Sequence, residues 1–551
     1  MISANNMPPE TPPHFGKVLL IGLDGATFDV LGPLMKAGKM PELQRLVDEG
    51  VSGPLESTRP PITPAAWTTF MTGKGPGKHG IIDFVRYEPK QDSLGLNNNQ
   101  EINSNTQTIW EILSNKGYRV GSINVPMTYP PIEVNGFMIS GFDTPPNRDF
   151  TYPKDLQKEI LEKFPDYTHE KKWQRKASGG DDLFEENLNY IKDSFDRGYH
   201  LAEMCGEKYG WDVMMVLYKL VDNLQHKAWR YIDDRTKHNH PKRAALTEEC
   251  WIHLDRVLGK LRALADRHEA HIVIMSDHGH GSLDGKAQPN LLLANWGYLK
   301  LRGLGVRARG RVATWIRRLR GKPGAMSAGG LGDISCDPDF DWANSRACVL
   351  HAGVYGFLYI NLKGRQPNGI VEPKDFERLR QEIREKLLGA TCRDREGREM
   401  KIFTDVFVTE ELYGCSREEH PWMPDLLLAP ADGLAVVKKI RGAESVRWVP
   451  FKRLEGTHRL DGVFAAWGPA IKRKLEMRAH IADLAPTILA GLGEPVPKDM
   501  DGNVLESIFE QPINIVFEPS QDRRIEETVP SLTADQERDI TNRLEDLGYL
   551  D

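Results

Sequence analysis

The sequence predicts an α/β fold built on a largely parallel sheet. Three observations carry this reading. Short apolar runs recur, among them "KVLLIGLD" (17–24), "WDVMMVLYKL" (211–220) and "AHIVIMSDHG" (270–279). Amphipathic stretches separate them, such as "MPELQRLVDEG" (40–50) and "TIWEILSNKG" (108–117). Two of the apolar runs end in a carboxylate, at Asp24 and Asp277. Apolar strands alternating with helices are the mark of a parallel sheet covered on both faces. Ligands of such sheets sit at the carboxyl ends of strands, so these aspartates mark the expected site.

The elements follow in order. Residues 1–16 are polar and proline-rich, lack a signal-peptide pattern, and read as a flexible tail. A core is expected over 17–283 and 456–505. Its elements include the strand at 17–24, the helix at 40–50, a helix opening near "ITPAAW", the helix at 108–117 followed by the strand-like "YRVGSINV", and a helix around 242–267. Residues 284–455 read as an insertion or cap, a smaller α+β region with "ACVLHAGVYGFLYINL" strand-like and "PKDFERLRQEIREKLL" helical. It contains the segment 300–322, with nine basic and no acidic residues, and then a linker-like "PGAMSAGGLGD". Residues 506–551 form a C-terminal extension whose end, "SLTADQERDITNRLEDLGYLD", reads as a helix.

Composition narrows the class. The chain has 551 residues and a formal net charge of −6, which implies no bulk attraction to nucleic acid or anionic membrane. No run of eighteen apolar residues is present, so no transmembrane helix is expected. The six cysteines are scattered without a CxxC pair, which points to free thiols in a reducing cytoplasm. The basic segment 300–322 suits peripheral contact with an anionic membrane or a polyanionic substrate; a solvated insertion is the plainer alternative.

Metal-ligand residues gather near the expected strand ends: Asp24, Asp222, His226, Asp277, His278 and His458. Asp222 and His226 are four apart and share one helix face. Oxygen and imidazole donors without thiolate suit zinc or manganese. Each residue alone reads more simply as a cap, a turn or a solvated position. The set in this order is far more specific.

With these residues in view, the sequence resembles the alkaline phosphatase superfamily, and within it the type I phosphodiesterase/nucleotide pyrophosphatase family. The resemblance rests on "VLLIGLDGATFD", "MPELQRLVDEGV", "ITPAAWTTFMTGKGPGKHGI", "DNLQH", "SDHGHG", "GTHRLDG" and "IADLAPTILAGLGEPVPKDMDG", over about residues 17–505. It is similar in particular to a subgroup of predicted phosphohydrolases or phosphomutases. The resemblance implies a three-layer α/β/α sandwich. It also implies two divalent ions, zinc as in the pyrophosphatase branch or manganese as in the mutase branch. Asp24, Asp277 and His278 would hold one ion, beside the nucleophile; Asp222, His226 and His458 would hold the other.

The resemblance places the nucleophile, and a further metal contact, at Thr63. Local sequence adds a reason: Thr63 reads as a helix N-cap with Pro64 at the first helical position, leaving the amides of Ala65 and Ala66 to meet phosphate. Ser57, Thr58, Thr68, Thr69 and Thr72 are rival hydroxyls, and a plain cap is the alternative for Thr63. Two features depart from the family pattern. Phe84 stands where an asparagine usually binds the phosphoryl group, and Ala66-Trp67 replaces an Asn-His pair. Asn124 or Lys219 could supply a replacement donor, and His280 could be an acid, a substrate contact or a residue behind the ligands. His79 is expected in packing, and the lysines of "TGKGPGKHG" in solvent. The expected activity is hydrolysis of a phosphate-ester small molecule through a phospho-threonine, by a phosphodiesterase, pyrophosphatase or phosphatase. A phosphomutase and a non-catalytic binding protein are the alternatives.

Overall fold

The computed structural model describes residues 14–102, 106–145, 147–169, 173–174, 180–302, 332–333, 339–520, 538 and 540–541. Residues 1–13 of the expected tail, residues 303–322 of the basic segment, residues 323–331 of the linker after it, and nearly all of the expected C-terminal helix lie outside these.

The elements that place the site, in chain order, are β1 (Val18–Gly22), β2 (Val51–Glu56), α1 (Thr63–Thr72), β3 (Val120–Val125), β4 (Gly136–Ser140), α2 (Asp181–Tyr209), β5 (Val213–Leu217), α3 (Leu220–Ala228), α4 (Pro241–Arg267), β6 (His271–Met275), β7 (Gly279–Ser282), β8 (Gly456–Arg459) and β9 (Asp461–Trp467). A ten-stranded sheet forms the centre, in the order β2, β9, β6, β1, β5, β3, β4, with short strands at both edges. β1 runs parallel to β5 and β6, and β3 parallel to β5 and β4. β9 is antiparallel to both β2 and β6. The fold is the expected α/β class with a mostly parallel sheet.

Period-two alternation sends the side chains of β1 into two cores. Val18 and Leu20 face a layer containing Trp67, Phe70 and Met71 of α1 and the helix Leu484–Gly491. Leu19 and Ile21 face α2 and α4, through residues such as Phe195, Leu201, Leu254 and Leu261. All five β1 residues are buried, so the strand sits at the centre of a three-layer sandwich.

A third apolar cluster is built mostly from residues between 287 and 446. Its frame is an antiparallel sheet of Ala347–Ala352, Gly356–Ile360, Leu426–Pro430 and Phe403–Val408, covered by the helix Phe376–Leu388. Ile82 and Tyr87, which follow α1, pack into it. Among the described residues no helix is long and apolar enough to cross a membrane.

Candidate metal centre

Sheet register brings the ligands together. Gly22, the last residue of β1, pairs with Leu217 of β5 and Met275 of β6. Asp24, the start of α3 and Asp277 therefore leave the same sheet edge side by side. The ribbon of β7 and β8 adds the rest, with His280 directly opposite His458.

Two donor groups result: Asp24, Asp277 and His278; and Asp222, His226, His280 and His458. Within each group the ligand atoms all lie within 4.8 Å of one another. In the first, His278 Nε2 is 3.3 Å from Asp277 Oδ2 and 3.9 Å from Asp24 Oδ1. In the second, Asp222 Oδ1 lies 3.2 Å from His226 Nε2, 3.4 Å from His280 Nε2 and 3.5 Å from His458 Nε2. His226 is part-buried and the other six are buried.

The backbone sets the histidine tautomers. Nδ1 of His226 meets the carbonyl of Gly456 at 3.0 Å, and Nδ1 of His458 that of Pro61 at 2.9 Å. Nδ1 of His278 meets Gly279 O, and Nδ1 of His280 meets Gly25 O, both at 3.1 Å. A carbonyl only accepts, so each Nδ1 carries the proton and each Nε2 offers a lone pair inward. Nε2 of His226 and Nε2 of His458 stand 3.0 Å apart, a spacing suited to a shared cation.

Charge tells the same story. Burial, then the carboxylates of Asp277 and Asp222, push the Asp24 carboxyl well above the usual range. Burial pushes Asp277 up to about 7, with Asp222 adding to it. Burial also opposes ionisation of Asp222, but its neighbours, the Lys219 ammonium among them, hold that carboxyl low. Burial keeps His278 and His280 neutral, their pKa values well below the ordinary imidazole range. Asp24 Oδ1, Asp277 Oδ2 and His280 Nε2 make no hydrogen bond. Crowded carboxyls and inward lone pairs are what divalent ions relieve, so the donor set fits two of them.

Thr63 reaches this centre, its Oγ1 3.4 Å from His278 Nε2. Two local expectations need correction. α1 begins at Thr63 itself, so Ile62 is the N-cap and Pro64 the second helical residue. The Ala66 amide donates to Ile62 O at 3.0 Å, so it is spent within the helix and only Ala65 remains of the pair. Of the lysines of "TGKGPGKHG", Lys78 is exposed as expected and Lys74 is not. Lys74 is buried and paired with Asp499, and Lys78 pairs with Asp501. Gly73 closes α1 in the left-handed region, at φ 65°. Three of the rival hydroxyls are engaged elsewhere, Thr58 with Pro60 O, Thr72 with Thr68 O and Thr69 with His79, while those of Ser57 and Thr68 have no hydrogen-bond partner among the described residues.

The replacement donors separate. Asn124 accepts a hydrogen bond from the Tyr167 hydroxyl at 2.8 Å. Lys219 stands at the centre, its Nζ 3.4 Å from Asp222 Oδ2 and bonded to Asn223. Phe84 is buried and packs edge-on against Phe142, and the face of Phe142 carries Lys219 Nζ at 4.9 Å. Phe84 thus supports the ring under the lysine. His280 is among the donors rather than behind them. Sequence reasoning also missed Trp67, whose Nε1 donates to Asp24 Oδ2 at 3.2 Å. The four-residue spacing from Thr63 was the available signal.

The sequence profile described as type I phosphodiesterase / nucleotide pyrophosphatase matches residues 18–461. A search of curated proteins by sequence finds no match. Among solved structures, the chain is similar to phosphonoacetate hydrolase from Sinorhizobium meliloti 1021 in complex with phosphonoformate. There the identity is 15% and the TM-score 0.50, over 86% of this chain and 94% of that one. It is similar also to human ectonucleotide pyrophosphatase / phosphodiesterase 5, at 13% identity and a TM-score of 0.48, over 90% of this chain and 100% of that one. The phosphonoacetate hydrolase likeness concerns the fold, while the profile match spans most of the chain: the protein belongs to the type I phosphodiesterase/nucleotide pyrophosphatase family of the alkaline phosphatase superfamily.

Proposed function

We propose that the protein is a metal-dependent phosphoric ester hydrolase that uses Thr63 as its nucleophile. The observation that carries this is the seat of Thr63: a buried hydroxyl at the first turn of α1, 3.4 Å from His278, which is itself grouped with the carboxyls of Asp24 and Asp277. Bound at the two donor groups, divalent ions, zinc or alternatively manganese, would lower the hydroxyl pKa and offset charge on the leaving oxygen. Thr63 Oγ1 forms the new bond to phosphorus as the bond to the leaving oxygen breaks. Water then splits phospho-Thr63 and releases phosphate or a phosphate monoester. The Ala65 amide and the positive end of α1 face the transferred group. Lys219 adds a cation beside Asp222, which supports a substrate of high negative charge.

A cavity of about 520 Å³ is lined by Lys227, Arg230, Arg243, Lys452, Arg453 and Glu455, and by none of the donor residues. Mass spectrometry of enzyme quenched during turnover tests the reading. The expected result is a phosphate adduct on Thr63 and its absence in Thr63→Ala. Turnover by Thr63→Ala would sink the assignment. An isomerised phosphate ester as sole product would favour the mutase alternative.

A further inference from the structure

The family pattern assigns three protein donors to the Asp222 ion. We infer that His280 is a fourth, so that this ion sits in an Asp–His–His–His shell. The inference rests on the two-ion reading above and goes beyond its ligand set.

Strand geometry places the ring. His280 lies on β7 opposite His458 on β8, and cross-strand neighbours present side chains on the same face. Its ring centroid is 4.6 Å from that of His226 and 5.2 Å from that of His458. Nε2 is 3.4 Å from Asp222 Oδ1, and all four donors meet the same spacing limit.

Orientation makes it a donor rather than a bystander. Nδ1 is engaged by the Gly25 carbonyl, so the neutral ring aims a lone pair at Asp222. Two acceptors facing each other, Nε2 and Oδ1, gain nothing without a cation between them. His280 is fully buried and its Nε2 makes no hydrogen bond, a costly state for an imidazole that no ion uses. The surroundings leave room for this ring and little else. Gly25 has φ 68°, and a Cβ there would come within 2.7 Å of His280 Nδ1. Trp229 lies along the other side, 6.2 Å away and nearly parallel.

The consequence is a division between the ions. Four protein donors complete a tetrahedral shell, so a substrate oxygen reaches the Asp222 ion only by raising its coordination number. The Asp24 group offers three such donors, and the fourth place there would fall to Thr63, the reacting hydroxyl itself.

The test uses full-length protein labelled with 15N-histidine and loaded with cadmium-113. Four imidazole Nε2 resonances should show coupling to cadmium: those of His226, His278, His280 and His458. In His280→Ala, calorimetric titration with zinc should show one of two sites weakened at least tenfold and the other unchanged. Coupling from only three histidines in the wild-type protein overturns the inference while leaving two bound ions intact. Full zinc affinity at both sites in His280→Ala also overturns it. A wild-type chain that takes up no ion removes the two-ion reading itself, and the inference with it. The wild-type spectrum decides the matter even if the variant fails to fold.

Discussion

The two donor groups share one sheet edge but are built on opposite principles. The Asp24 group has two carboxyls and one imidazole, drawn from the ends of β1 and β6. Burial and mutual repulsion push both of its carboxyls up. It is a charged nest that needs a cation to be ionised at all. The Asp222 group has one carboxyl, already held low by its neighbours, and three imidazoles fixed by backbone carbonyls. It is a cage of imidazoles around one carboxylate, preset by hydrogen bonds. The difference teaches where each group is vulnerable: the first to loss of charge, the second to loss of orientation.

Asp24→Asn tests the first half of the contrast and carries the largest expected effect. Removing one of two charges should empty that group. Bound metal falls from two ions to one, and turnover falls about a thousandfold, the scale seen when a buried electrostatic contact is lost at a reacting centre. Excess metal should not restore it. Metal analysis beside a rate assay reads both. Two retained ions would show that charge is not what holds the first group together.

His226→Ala probes the second group, where three donors remain. Affinity for that ion should fall about ten- to a hundredfold, in the range of a perturbed ligand shell. Saturating metal should recover most of the rate. The recovery is the informative part. If His226→Ala is as dead as Asp24→Asn at saturating metal, the two groups are equally fragile and the comparison fails. A smaller effect is expected from Trp67→Phe, which removes the donor to Asp24 Oδ2. About a tenfold loss of affinity should be confined to the first ion. An equal loss at both would mean that Trp67 acts through packing of α1.

The contrast also marks what could be read from sequence. Asp24 and Asp277 were legible because each follows an apolar run and precedes a turn. Asp222 and His226 were legible because their spacing matches a helix. What sequence could not supply was sheet order. Nothing in "KVLLIGLD" says that Val18 pairs with both Val213 and His271, yet that register gathers the donors. His280 carried a weaker signal: "HGH" has the alternation of a strand, which puts His278 and His280 on one side. Its partner His458 is supplied by a segment far along the chain, and only the fold pairs them. Lys74 shows the same limit, since its burial depends on Asp499. The Ala66 amide shows a finer one, because moving the helix start by one residue decides whether an amide is free.

The smallest effect on metal should come from a histidine that resembles the ligands in burial and differs in wiring. His79 is fully buried at the end of the short helix Pro76–His79 that follows α1. Its Nδ1 accepts from the Ile81 amide at 3.1 Å, so the proton sits on Nε2 and goes to Thr69 at 2.9 Å. Both nitrogens are spent within the protein, the reverse of the histidines in the two donor groups. Burial, aided by His420 and Lys74, lowers its pKa to about 3. The unfolded chain takes up that proton near pH 6.5 while the folded chain refuses it. Stability is therefore complete above pH 6.5 and declines as pH falls toward 3. By pH 5 the loss from this one group is about 2 kcal/mol. His79→Gln keeps a donor and an acceptor without a titrating proton. In metal-loaded protein it should leave both ion affinities unchanged and flatten the fall of the urea midpoint between pH 7 and pH 5. An unchanged slope would mean that His79 is not held neutral. A lost ion would mean that it is wired to the centre after all.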